Sequence, residues 1–247
     1  MVGHNAERGT AAVNRIKRET GSSAVEWVLA DLSVQAEVRR LARDVQNRSP
    51  RLDVLVNNAG ALFTRRTLSV DGIEMTLALN HLAYFLLTSL LLDALQSSAP
   101  ARIVNVASAA HRRGCIDFAY LQGERRYGAW RAYSQSKLAH ILFTYELARR
   151  LEGTGVTVNA LHPGLVATNF GRSNRGVGAL LWRALQVAAI DPEQGAKTII
   201  YLASSPEMEG ITGKYFVRKR AVSSSRASRD LTAARRLWLV SAELTGL

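Results

Sequence analysis

Asp53-Val54-Leu55-Val56-Asn57-Asn58-Ala59-Gly60 is the stretch that decides the architecture. An apolar run of strand length, with no polar alternation, stops at two amides and a small-residue turn, as in a strand buried on both faces. The pattern returns twice downstream. Residues 102–108 read Arg-Ile-Val-Asn-Val-Ala-Ser, and residues 156–164 read Val-Thr-Val-Asn-Ala-Leu-His-Pro-Gly. Helical segments lie between the runs: the apolar stretch opened by Asn80-His81-Leu82-Ala83-Tyr84-Phe85-Leu86-Leu87-Thr88, and residues 133–151. Such alternation predicts an α/β fold, doubly wound around a mostly parallel sheet.

The alternation extends to both ends. Residues 6–20 are helical in pattern, with Asn5 as N-cap and Gly21 as the stop. Residues 24–30 read as a strand running into Asp31-Leu32-Ser33, with a helix starting near Val34 that Asp31 could cap. A helix over 192–204 and a strand over 214–217 complete the series. No linker or repeat divides the chain, so residues 1–247 are expected to form a single domain carrying a basic C-terminal segment over 214–247.

Composition narrows the function classes. The chain has 247 residues, 47% hydrophobic and 21% charged, as in an ordinary globular protein. The single cysteine, Cys115, rules out an intramolecular disulfide and suits a reducing cytoplasm, the expected location. The most apolar run, residues 82–95, contains Asp93 and is shorter than the ~20 residues a bilayer span requires. No signal peptide is evident, and no membrane span is expected. Net charge is +12, and from Lys214 to Arg236 eight basic residues face one acid, Asp230. Residues 220–229, with three successive serines, read as a solvated basic loop. No nucleic-acid motif or aromatic platform accompanies it, so no nucleic-acid partner is expected. The five histidines show no metal-ligand spacing.

Tyr133 and Lys137 carry the chemistry. Four residues apart on one helix face, they pair a phenol with an ammonium. A cation beside a phenol favours the phenolate and lowers its pKa toward the working range. Ser108, ending an apolar strand, could steady a substrate oxygen while Tyr133 passes the proton. Taken singly, a surface pair is the plainer reading.

Taken together and in this order, these segments resemble the short-chain dehydrogenase/reductase family, most closely its retinol-dehydrogenase-like branch. The likeness extends to the ending Ala234-Arg235-Arg236-Leu237-Trp238. It implies a Rossmann-type sheet and NAD(P)-dependent interconversion of an alcohol and a carbonyl, with an apolar, retinol-like substrate as one possibility. By resemblance, Tyr133 is the acid/base, Ser108 holds the reacting oxygen, Lys137 tunes Tyr133 and binds the nicotinamide ribose, and Asn80 anchors a water leading from Lys137 to solvent. Asp31 and Leu32 are expected near the adenine, and Asn57, Ala59 and Gly60 beside the cofactor, Gly60 for its freedom at the turn. Pro163, Gly164 and Thr168 match the loop that embraces the nicotinamide; His162 reads as structural. The place where NAD-preferring relatives carry an acid is occupied by Gly3, with His4 and Arg8 nearby. That leans weakly to NADP over NAD. The 24 residues between Ser108 and Tyr133 exceed the family's usual length and either line the substrate mouth or form a surface excursion.

The resemblance also sets expectations about the start. Residues 1–9 match the end of the family's second strand, so the first strand and its TGxxxGxG turn have no counterpart and the sheet is expected to be N-terminally incomplete. Gly171 to Gly178 has the wrong spacing to replace that turn and reads as a substrate loop. Dimers or tetramers are expected through the Leu82-Phe85-Leu86-Leu90 stripe and the Tyr133 helix, though the same stripe could simply face the sheet. The alternative is a catalytically silent relative that acts as a binding protein.

Overall fold

The computed structural model describes residues 1–164 and 191–247. Strands β1 (Val2–Gly3) and β2 (Val28–Leu29) pair in parallel. A second sheet holds β3 (Val54–Asn57), β4 (Ala101–Val106), β5 (Val156–His162), β6 (Tyr215–Val217) and β7 (Arg220–Ala221), in that order. β3 to β6 run parallel and β7 turns back antiparallel on β6. Among the described residues β1 pairs only with β2, and β3 only with β4. One apolar core nonetheless runs beneath both sheets: Ala30, Val38 and Leu41 pack in the same cluster as Phe85, Leu86, Ile103 and Val158. The architecture is α/β with a mostly parallel sheet, as the strand pattern predicts. The strand read over residues 24–30 is shorter, covering Val28–Leu29 alone.

Local chemistry explains the helices. α1 (Ala6–Thr20) starts where Asn5 Oδ1 accepts from the Arg8 N–H at 2.9 Å and stops at Gly21, in the left-handed region at φ +69°. α2 (Gln35–Arg48) is not capped by the Asp31 side chain. Asp31 Oδ1 accepts from the Ser33 N–H (2.9 Å) and hydroxyl (2.7 Å), closing an Asx turn, and Asp71 accepts from the Gln35 N–H instead. The helix expected over 80–95 is built in pieces: α3 (Met75–Leu77), a π-helical turn (Ala78–Leu82), α4 (Ala83–Leu90) and α5 (Leu92–Ser97). Such π turns recur at functional sites, and this one carries Asn80 and His81. α6 (Ala129–Arg150) begins four residues before Tyr133, and α7 (Pro192–Ser204) starts from the Asp191 cap.

Sequence reading places a strand at 214–217 but no helix in the basic segment that follows, yet α8 (Leu231–Thr245) lies there, capped by Asp230 and ended by Gly246. It packs over α4 and α6. The Trp238 ring centroid lies 4.9 Å from that of Phe85 and 5.9 Å from that of Phe143, with the Arg150 guanidinium 4.1 Å above it. Leu82, Phe85 and Leu86, expected at a subunit interface, are therefore buried within the chain. Leu237, buried against Leu138 and Leu142, seals this contact. Leu237→Ala should cost about 3 kcal/mol, read as a lowered urea midpoint with little change in slope. An unchanged midpoint would mean that α8 adds little to the fold.

The supposed solvated basic loop is also tied down. Ser224 and Ser228 are buried, Tyr145 Oη donates to Ser224 Oγ at 2.8 Å, and the Ser228 hydroxyl reaches the same oxygen. Ser224 and Ser228 face inward, while Ser223, Arg220, Arg226 and Arg229 are exposed. Among the described residues, no helix is long and apolar enough to cross a membrane.

Candidate active site

The carboxyl ends of β3, β4 and β5 converge, which in open α/β sheets is where ligands bind. Their ends are locked by buried amides. Parallel register sets Asn57 opposite Asn105. Asn57 Nδ2 donates to Asn105 Oδ1 (2.9 Å) and Thr88 Oγ1 (3.0 Å), and Asn105 Nδ2 donates to Thr144 Oγ1 (2.9 Å). This ladder fixes β3, β4, α4 and α6 relative to one another, so the residues just beyond the strands are held without slack.

Ser108 sits two residues past β4, and its Oγ accepts from the Ala110 N–H at 3.2 Å. Tyr133, on the first turns of α6, hydrogen-bonds with Ser108. Lys137 lies one turn further on, fully buried, with Nζ donating to the Val106 carbonyl at 3.1 Å and standing 5.7 Å from the centre of the Tyr133 ring. Three residues from two separate segments thus form one constellation, as their types and order led us to expect.

The electrostatics differ from the simple expectation that the ammonium depresses the phenol. Burial pushes the Tyr133 phenol up from its ordinary value, and the hydrogen bond with Ser108 pulls it back. Burial pushes Lys137 down to about 7. By the pH at which Tyr133 ionises, Lys137 is already neutral and gives it no Coulombic help. Tyr133 in this environment is therefore a neutral phenol, poised to donate.

The Asn80 side chain is fully engaged. Its Oδ1 accepts from the Ala61 N–H and its Nδ2 donates to the Ala61 carbonyl, both at 2.9 Å, and Nδ2 also reaches Ser136 Oγ at 3.0 Å. It clamps the turn after Gly60 onto α6. Gly60 adopts no unusual dihedral, and a side chain there would be only slightly crowded. A Cβ would stand 3.3 Å from Asn80 Oδ1 and 3.4 Å from Lys137 Nζ. The Ala59 carbonyl accepts from Tyr84 Oη. Gly164 does use the freedom of glycine, at φ +99°, immediately after Pro163. His4 is exposed beyond β1, and Asp31 is exposed beyond β2 with Leu32 half-buried beside it. Thr168 and the Gly171 to Gly178 cluster lie outside the described residues. Among the described residues, no group of histidine, cysteine and acidic side chains is placed to hold a metal.

His111 has a positioning role that the sequence did not disclose. Its Nε2 accepts from the Ser225 N–H at 3.1 Å, so Nδ1 carries the proton and donates to the Ser108 carbonyl at 2.7 Å. The neutral ring thereby ties the Ser108 backbone to the C-terminal segment, and burial keeps it neutral by lowering its pKa.

A nicotinamide dinucleotide fits these residues. The glycine at 60 brings backbone flush against the lysine and asparagine, and the ends of β1, β2 and β3 present His4, Asp31 and Ala59 at the carboxyl edge where such a ligand lies. Comparison with known proteins points the same way. A family profile described as short chain dehydrogenase matches residues 1–176. Retinol dehydrogenase 14 of Homo sapiens is 46% identical over 239 residues, spanning 93% of this chain and 70% of that protein. A crystal structure of an uncharacterized protein from Mycobacterium paratuberculosis superposes with TM-score 0.78 at 34% identity, covering 100% of this chain and 83% of that one. A short chain dehydrogenase from Burkholderia cenocepacia, solved in complex with NADP, gives TM-score 0.67 at 27% identity, covering 87% and 83%.

Proposed function

This chain belongs to the short-chain dehydrogenase family and is an NAD(P)-dependent oxidoreductase, and from that premise we propose that it interconverts an apolar, retinoid-like alcohol and its carbonyl, with Tyr133 as acid/base and NADP favoured over NAD. The observation that carries the reading is the hydrogen bond of the buried Tyr133 with the half-buried Ser108, with Lys137 packed close to the Tyr133 ring.

The bound nicotinamide supplies or accepts the hydride. The remaining work belongs to the side chains. Ser108 Oγ hydrogen-bonds the carbonyl oxygen and sets it beside Tyr133. As that oxygen gains charge in reduction, the Tyr133 phenol, kept protonated by burial, hands over its proton. In the reverse direction the alcohol returns it. Lys137, buried within reach of the turn at Gly60, would hold the nicotinamide ribose, while Asn57 and the amide ladder keep the strand ends from shifting.

Two observations support the finer choices. An apolar substrate is supported by likeness to a retinol dehydrogenase over most of the chain. NADP is supported by Gly3 where an acid would favour NAD, with exposed His4 and Arg8 close by, and by the NADP-bound structural relative. The test follows loss of reduced nicotinamide absorbance with retinaldehyde and with a short polar ketone, each with NADPH and NADH. Turnover per KM should be on the order of 10-fold or more higher for the apolar aldehyde, because each added apolar contact discriminates by about that factor. Equal rates on both carbonyls would overturn the apolar assignment, and a preference for NADH would overturn the cofactor choice.

A further inference from the structure

We propose that His140 is the positioning residue for Lys137: its Nδ1 is the side-chain acceptor that holds the Lys137 ammonium beside Tyr133, a role that rests on the dehydrogenase reading above. Lys137 is a cation taken out of water. Among the described residues no carboxylate pairs with it, and its acceptors are the Val106 carbonyl at 3.1 Å and His140 Nδ1 at 3.5 Å. One main-chain carbonyl is thin compensation for a buried ammonium. The imidazole supplies the second acceptor from three residues along the same helix face.

The ring is fixed in that orientation. It stacks on Tyr84 with centroids 4.3 Å apart and planes 14° from parallel, and the Tyr84 hydroxyl is itself bonded to the Ala59 carbonyl. His81, from the π-helical turn, abuts it edge-on at 6.4 Å. The groups facing the pair are therefore Tyr133 from its own helix, His81 from the π turn and Tyr84 from α4, and none of these is an anion near neutrality. Burial and the neighbouring Lys137 and His81 keep His140 uncharged, as an acceptor must be. With Nδ1 as the lone-pair acceptor, the ring proton sits on Nε2, which is buried and has no hydrogen-bond partner among the described residues. A carboxylate in this place would instead hold the lysine charged throughout.

Two substitutions separate this role from packing. His140→Phe keeps the ring on Tyr84 but removes the acceptor. His140→Asn gives up the ring but places Oδ1 on the same Cγ, where Nδ1 stood. The protein has five lysines, so titration of 13C-labelled lysine side chains by NMR resolves Lys137 without relying on turnover. Lys137 should titrate about one pH unit lower in His140→Phe and return toward the parent value in His140→Asn. The alkaline limb of carbonyl reduction should move in the same direction. An unshifted Lys137 in His140→Phe would overturn the proposal, as would an Asn variant displaced as far as Phe. If Phe does not fold, His140→Leu makes the same comparison with Asn, with the same two overturning results. A shifted lysine in a protein that reduces no carbonyl would leave this assignment standing and remove the proposed reaction instead.

Discussion

Tyr133→Phe lowers turnover on the order of 10²-fold or more while leaving cofactor affinity nearly unchanged, because it removes one oxygen and almost no volume. The phenol is nearly buried, hydrogen-bonded with Ser108 and kept protonated by burial. The Phe ring occupies the same space and still packs near Trp130, whose ring lies 5.7 Å away in the parent. Binding and folding should therefore survive. Steady-state kinetics of carbonyl reduction, with calorimetric titration of NADPH, separate the two contributions. A fall in kcat with an unchanged cofactor Kd is the expected pattern. Turnover within a few-fold of the parent would remove Tyr133 from the chemistry. Cofactor binding lost together with turnover would show instead that the substitution disturbs the site's structure.

Acidification should destabilise this fold steeply. His81 and His140 are fully buried, and burial pushes His81 down to about 4 and His140 well below its ordinary value. Their folded pKa values lie below those of the unfolded chain, so on acidification the unfolded chain takes up protons first. The stability these neutral rings permit is complete above about pH 6.5 and is lost as pH falls through the window toward about 4. At about pH 5, His81 alone accounts for a loss of about 2 kcal/mol, a sizeable share of the 5–15 kcal/mol typical of a domain. His140 adds to it, and His111 and His162, also lowered by burial, contribute in the same direction. Urea midpoints should drop clearly between about pH 7 and about pH 5, and His81→Gln should flatten that drop. A parent protein whose midpoint is level across this window would contradict the burial of the two rings.

These two predictions draw on different kinds of information. The shared helix face of Tyr133 and Lys137 and the strand-end place of Ser108 are legible because spacing constrains geometry locally: four residues on a helix make one face, and an apolar run fixes where a strand must stop. Their expected roles come from the order of the segments and the family resemblance. Asn5 and Gly21 are legible for the same reason, since a cap bonds within its own helix. Asp31 was half legible. Its side chain turns back to Ser33, and the residue that serves α2, Asp71, is 36 positions from the N–H it accepts. No local rule connects them.

The amino-acid sequence by itself determined the α/β alternation, the residue types of the candidate site and their order, and the chemical family to which they point. Only the tertiary structure decided how strongly each group holds its proton. Desolvation depends on what covers a side chain, and the cover comes from remote segments. α8 closes over α4 and α6, the π turn sets His81 against His140, and the loop after β7 reaches back to His111. The lowering of Lys137, the raising of Tyr133 and the neutrality of His140 follow from that enclosure. Periodicity along a chain reports which face of an element is apolar. It carries no information about which distant element comes to lie on that face, and the low dielectric that this contact creates is what sets the charges in the site.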